Sequence, residues 1–299
     1  MGCQVGDLKV KDRTAFDQPP GPEGAGSDFM SEIFEAIGFE VGDEESFNVL
    51  SECAQTSGQR SVIHRGDATL HGRCWKVGDG LEVWSVLHES ATGRYCADCR
   101  PSFRSRYVHT IEPWELAEYD SDGEAIVRGG TPGGASVVFE LQNLTEVSQQ
   151  AFRDNQLQVG LAGLAASIRA DTADRGDARN TRAAGYRGFE PASAYPELAE
   201  NACENDYIVS GHVLAWKTII NPVTSSELVW MYVDAGTIRL ETLANRRALR
   251  GRLRTGGMVT ADIWLQGHIL EETEITARYE GVDQDSMKSD YWTMLRRGN

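Results

Sequence analysis

Apolar and polar residues alternate with a period of two from Ser61 to Leu141 and again from Tyr207 to Leu270. The stretches around them carry a helical period or none. The first alternating stretch predicts strands at 61–65, 69–76, 81–87, 93–98, 106–119, 124–128 and 135–142. The second predicts strands at 207–216, 227–233, 236–243 and 258–270. Turns punctuate them at Asp120-Ser121-Asp122-Gly123, Thr131-Pro132-Gly133-Gly134 and Asp234-Ala235-Gly236. Short strands so closely spaced argue for a barrel or sandwich rather than a parallel sheet.

Helical spacing precedes and separates these stretches. Phe29, Ile33, Phe34 and Ile37 follow a cap at Ser27 or Asp28 and stop at Gly38. A second helix from about Asp43 to Thr56 opens on Asp43, Glu44 and Glu45, which suit the positive end of the helix dipole. Val147, Phe152, Leu157, Leu161, Leu164 and Ile168 form a long apolar stripe, which predicts a helix over 145–170. Residues 1–27, with Pro19, Pro20 and Pro22 and few apolar side chains, read as a disordered tail. Residues 171–200 read as a linker or exposed loop. Tyr291, Trp292 and Leu295 could dock a final helical turn. The expected fold class is therefore α+β. A helical segment at 28–60 precedes a β module at 61–145, a helical connector and loop at 146–206, a second β module at 207–272, and a C-terminal segment at 273–299.

The two β stretches echo one another. Trp75-Lys76, Val83-Trp84, Gly133-Gly134 and Leu141-Gln142 recur in order as Trp216-Lys217, Val229-Trp230, Gly256-Gly257 and Leu265-Gln266. The order suggests a divergent duplication. Two independent antiparallel sheets of ordinary strand composition would give the same pairs.

The formal net charge is −16 and is unevenly placed. Residues 1–60 carry 12 acids against 4 bases, whereas residues 207–272 carry 6 against 7. The overall excess repels phosphate backbones, and only the second β module escapes it. No run of 18 apolar residues is present, so no membrane span is expected. The basic N-terminus lacks the apolar core of a secretory signal, which points to the cytoplasm. Met1-Gly2-Cys3 has Gly6 where an acylation pattern needs Ser or Thr.

Candidate chemistry is sparse. Cys96-Ala97-Asp98-Cys99 could hold half of a zinc site or act as a redox pair, but no second pair completes it. Cys74, His71 and His88 would serve only if the fold gathered them; otherwise these are unconnected thiols and strand histidines. Gly129–Gly134 lacks the Lys-Ser/Thr ending of a phosphate loop. Asp120, Asp122 and Glu124 begin like a calcium loop, but Ala125 and Thr131 stand where glycine and glutamate are needed. No nucleophile elbow is present. Arg246, Arg247, Arg250, Arg252 and Arg254 form the dense basic cluster of the chain, and Arg100, Arg104 and Arg106 hold a comparable place in the first module. Trp75, Trp84, Trp216, Trp230 and Trp264 could line a binding face, although buried tryptophans more often fill a core.

These features predict a non-enzymatic binding or assembly module that contacts a protein partner or self-associates, with no cofactor. The alternative is nucleic-acid or polyanion binding through Arg246–Arg254, arginines taking phosphates while an aromatic stacks a base. Catalytic residues need not be close in sequence, and the place to look for an enzyme's site is near His71, His88 and Cys96–Cys99.

Overall fold

Local sequence sets the two helices. Helix α1 (Ala25–Ala36) buries Ile33, Phe34 and Ala36, followed by Ile37 and Phe39 just past its end. Helix α2 (Glu44–Ser57) starts at a reciprocal cap: the Ser46 amide donates to Asp43 Oδ1 at 2.8 Å, and the Asp43 amide donates to Ser46 Oγ at 3.2 Å. The computed structural model describes residues 25–119, 123–148, 151, 155–170 and 188–270. The expected tail up to residue 24, Asp120–Asp122, Phe152, the linker over 171–187 and the C-terminal segment from 271 lie outside the described residues.

The remainder is almost entirely strand, in two sheets. Strands β1 (Gln59–Arg65), β2 (Ala68–Gly78), β3 (Leu81–Ser90) and β4 (Gly93–Phe103) form a four-stranded antiparallel meander. The second sheet contains β5 (His109–Tyr119), β6 (Glu124–Gly130), β7 (Ser136–Leu141), β8 (Leu157–Ala170), β9 (Gly188–Pro191) and β10 (Asp206–Ile220). It also contains β11 (Glu227–Asp234), β12 (Arg239–Asn245), β13 (Leu249–Arg250) and β14 (Met258–Ile269).

The second sheet closes on itself twice. β10, β11, β12, β8 and β14 pair in a closed circuit. β8, β5, β6, β7 and β14 form another. The antiparallel β8–β14 pair belongs to both. Its Leu157–Val159 end serves β5, and its Ala162–Ala165 stretch serves β12. Closure leaves few free edges, the main hazard of an all-β surface.

The helix expected over 145–170 is thus corrected: 157–170 is the shared strand β8. Over Val159–Ala165 it is buried on both faces. Leu161, Ala165 and Ile168 join the core within the circuits, while Ala162 and Leu164 join a second core beneath the helices. Double burial erases the alternation by which a strand is recognised, leaving an apolar run that mimics a helical stripe. Gly163 suits close strand packing: a Cβ there would lie 2.6 Å from Ile263 Cδ1. The boundary expected at 145 does not divide the sheets either. Strands β5–β7 pair with the later chain, and β1–β4 stand apart. The two echoed hairpins also differ in register. Trp84 lies opposite Cys74, whereas Trp230 lies opposite Lys217.

One face of the meander packs under the helices with apolar Leu81, Val83 and Phe103. The other meets the strand circuits through polar groups set beside apolar Trp84 and Val86. Arg65 grips Glu118 through two bonds of 2.7 and 3.0 Å, and Ser102 Oγ donates to Gln266 Oε1 at 2.8 Å. Glu82 faces His268.

Candidate functional site

The arginine-rich connection between β12 and β14 is built by the same inside-outside logic as the strands. Leu253 is buried, and Ala248 and Leu249 pack against the core. Arg246, Arg247, Arg250, Arg252 and Arg254 are left exposed. Asn245 starts the segment by accepting the Arg247 amide at 3.0 Å. β13 then pairs in parallel with β8, setting Leu249 beside Ile168 and Arg250 beside Arg169. Gly251 follows in the left-handed region (φ +91°), where a Cβ would lie 2.4 Å from the Ala170 carbonyl oxygen. At the far end, the Gly256 amide donates to the Val213 carbonyl (2.7 Å), and the Val213 amide donates to the Gly257 carbonyl (2.9 Å). The segment is a ledge pinned at both ends.

Arg169 joins this ledge, and sequence reasoning missed it because the residue lay in the expected helix. It is exposed and shares a register position with Arg250. Like charges so placed repel one another. Among the described residues, Arg169, Arg246, Arg250 and Arg252 form no ion pair. Arg247 reaches Glu40 at 2.5 Å, both side chains being largely in water.

A groove of about 620 Å³ opens beside the ledge, lined by Glu40, Ser225, Glu227, Arg246 and Arg247 among others. Its floor is where α1 docks. Asn221 Nδ2 donates to the Ile37 carbonyl (2.8 Å), Thr224 Oγ1 and Ser226 Oγ donate to Gly38, and Asn245 Nδ2 donates to Glu35. These bonds satisfy carbonyls that the end of a helix leaves open. Ser225 has φ +61°, an uncommon conformation for a residue other than glycine.

The other sequence candidates go elsewhere. Cys96 is exposed and Cys99 is buried; burial pushes the Cys99 thiol far above its ordinary range, with Asp98 adding to the effect. No group of three His, Cys, Asp or Glu side chains suited to a metal occurs among the described residues. His71 faces Glu89 at 2.8 Å, and the His88 ring stacks on Tyr95. Trp84 is buried, Trp230 and Trp264 nearly so, while Trp216 is 38% exposed.

Arg100 and Arg104 do not form a second basic surface. Arg100 is 1% exposed, with Asp98 at 2.5 Å, Glu140 at 3.3 Å, and the carbonyls of Leu141 and Gln142 at 3.3 Å. Burial pushes the Glu140 carboxyl up to about 8; Arg100 opposes this, while Glu124 and Asp98 add to it. Arg104 Nε donates to Glu82 Oε1 at 2.7 Å. The other oxygen of Glu82 accepts from Trp84 Nε1 and faces His268 Nε2, each at 3.1 Å. Burial disfavours the ionised form of Glu82, but His268 and Arg104 prevail and hold its carboxyl well below the usual range.

Ser102, His268 and Glu82 superficially suggest a nucleophile, base and acid. Ser102 Oγ is 3.3 Å from His268 Nε2, the same nitrogen that faces Glu82. A working relay needs the acid and the nucleophile on opposite ring nitrogens. All three residues are also buried. The arrangement fastens the two sheets together. Glu241 is similarly enclosed, accepting from Ser105 Oγ, from the Arg106 amide at 2.5 Å and from Trp230 Nε1 at 2.7 Å.

No protein-family model, curated protein or solved structure matches this chain. No helix among the described residues is long and apolar enough to cross a membrane.

Proposed function

We propose that this protein is a non-enzymatic binding module that takes an acidic segment of a protein partner across the arginine ledge, in the cytoplasm. The observation that carries this reading is the exposed set Arg169, Arg246, Arg250 and Arg252, with no ion pair among the described residues, on a connection pinned at both ends. Carboxylates offer such forks bidentate acceptors and relieve the repulsion between Arg169 and Arg250. The groove beside Arg246 and Arg247 gives an entering chain a place to lie. Glu82, Arg100 and Glu241, at the centres of the polar networks, are themselves buried, where a dissolved substrate would not reach them. Each strand circuit reads as a small barrel, and the one containing β10 and β12 holds the ledge rigid. The five described cysteines are free thiols, in keeping with a reducing compartment.

A second reading is favoured by one specific feature. Trp216 is exposed on β10, the strand to which Gly256 and Gly257 bond. An aromatic near arginines can stack the bases of a single-stranded nucleic acid. The net charge of −16 works against it.

Fluorescence anisotropy of the full chain with a short poly-glutamate peptide and with oligothymidylate, at about 0.15 M salt, separates the two. The peptide is expected to bind, and Arg250→Ala with Arg252→Ala to weaken it about 10-fold, roughly 1.4 kcal/mol. Oligothymidylate binding alone, lost in Trp216→Ala, transfers the assignment to nucleic acid. Peptide binding that survives the double substitution overturns the ledge as the docking surface.

A further inference from the structure

A second cavity, of about 380 Å³, lies where the β1–β2 edge of the meander meets the chain around residues 143–147. Its wall carries three cations, Arg60, Lys76 and Arg104, and one carboxylate, Glu146. Counting Glu82, which faces Arg104 from below, three positive charges still oppose two negative ones. Neither Arg60 nor Lys76 forms an ion pair among the described residues, and both are exposed. The positive field extends beyond the rim. Arg60 stands directly opposite Arg73 in the β1–β2 register. Burial, then Arg60 and Arg94, draw the Arg73 guanidinium below its ordinary range. In a chain of net charge −16, this is a local reversal of sign.

The wall is rigid where it matters. Arg104 is fixed by its 2.7 Å bond to buried Glu82, and its Nη2 sits 3.6 Å from Glu146 Oε2. Asn143 is locked to Ile269 by two bonds, its Nδ2 donating to the carbonyl (2.8 Å) and its Oδ1 accepting the amide (3.0 Å). Ser61 and Thr145 face each other at 2.7 Å between their hydroxyl oxygens. Of the ten lining residues, Val147 and Ile269 alone have apolar side chains, so an apolar ligand finds little to contact.

We infer that this cavity binds a small phosphorylated polyol, with Lys76, Arg104 and Arg60 holding the phosphate while Ser61, Thr145 and Gln59 meet hydroxyl groups. A phosphate monoester is close to a dianion at neutral pH, and its oxygens accept from a guanidinium fork and an ammonium together. The volume exceeds that of a bare phosphate and lies within the range of small-molecule sites. Glu146 is the internal competitor, since its carboxylate stands against the same guanidinium that the phosphate must reach.

Isothermal titration of the full chain with ribose 5-phosphate tests the assignment, with ribose as the uncharged comparison. Ribose 5-phosphate is expected to bind saturably and ribose not to bind. Lys76→Ala is expected to weaken binding about 10-fold, and Glu146→Gln to strengthen it several-fold by removing the competitor. The ledge variant Arg250→Ala/Arg252→Ala is expected to leave it unchanged. Equal binding of ribose, no saturable binding, or binding lost in the ledge variant but kept in Lys76→Ala would each overturn the inference.

Discussion

Glu82 is the residue on which the polar contact between the two sheets turns, and Glu82→Gln isolates its charge at nearly constant volume. The wild-type carboxylate is 2% exposed and meets three groups: Arg104 at 2.7 Å, and Trp84 Nε1 and His268 Nε2 at 3.1 Å each. Breaking a buried ion pair from one side costs about 3–5 kcal/mol, because the surviving charge stays desolvated. Two features set where in that range the value falls. Arg104 keeps Glu146 at 3.6 Å and its side chain is partly exposed, which lowers the cost. The glutamine amide group turns a donor toward a site populated by donors, which raises it by about 1–3 kcal/mol if one loses its acceptor. A loss of about 3–4 kcal/mol is expected. In urea unfolding followed by tryptophan fluorescence and by far-UV circular dichroism, the midpoint should fall with the slope unchanged. The melting temperature should drop by about 6–8 °C, at roughly 2 °C per kcal/mol for a chain of this size. A loss below about 1 kcal/mol would refute the view that this carboxylate fastens the meander to the strand circuits.

Two further expectations follow from other buried groups. Burial, opposed by Arg100 and aided by Glu124 and Asp98, raises the Glu140 carboxyl to about 8, so its protonated form is favoured. Burial, with a contribution from Asp262, raises Asp206 to about 7. Folded-state values above the unfolded carboxylate range contribute stability that is complete below about pH 4.5 and is lost as pH rises through 7 to 8. Thermal melts should therefore show a higher midpoint at pH 5.5 than at pH 8. Glu140→Gln should flatten that slope by stabilising the pH 8 state, and an unchanged slope would contradict the assignment. Gly72 lies against the 142–147 chain, where an added Cβ would sit 2.0 Å from Thr145 Oγ1 and 2.6 Å from Ser61 Oγ. Gly72→Ala should cost about 1–3 kcal/mol by overpacking, and Thr145→Ala in the same chain should recover part of it. Additive costs in the denaturation midpoints would show that the clash lies elsewhere.

What could be read in the sequence was what is locally encoded. Asp43, Glu44 and Glu45 announce the start of α2, and Asp234-Ala235-Gly236 marks the β11–β12 turn, where the Gly236 amide donates to Asp234 Oδ1 at 3.0 Å. The arginine ledge was legible because five of its residues fall within nine positions. Its sixth member was not, because Arg169 belongs to β8. Over Val159–Ala165 that strand is buried on both faces, so its alternation is lost there and the whole segment reads as a helical stripe. The Glu82–His268 contact spans 186 positions, and no local pattern encodes such a pairing. One signal was available within β3. Period-two alternation puts Glu82 on the same face as Trp84 and Val86, and an acid sharing a face with two bulky apolar side chains is an acid marked for burial.

The arginine ledge and the smaller cavity owe their character to different kinds of connection. The ledge is a crossover between strands of one closed circuit, so its backbone is held by β8 at one end and β10 at the other. Its ordering cost is met during folding, and the arginines can be exposed without the segment collapsing onto the core. The smaller cavity forms where two separate sheets meet, so its shape depends on the polar contact between them. Arg104 takes part in both: one side of its guanidinium is fixed by Glu82 in the contact, while its side chain lines the cavity. A perturbation of Glu82 therefore reaches the cavity through a single shared side chain. The ledge rests on strand pairings that include neither residue, and should feel it only through global stability.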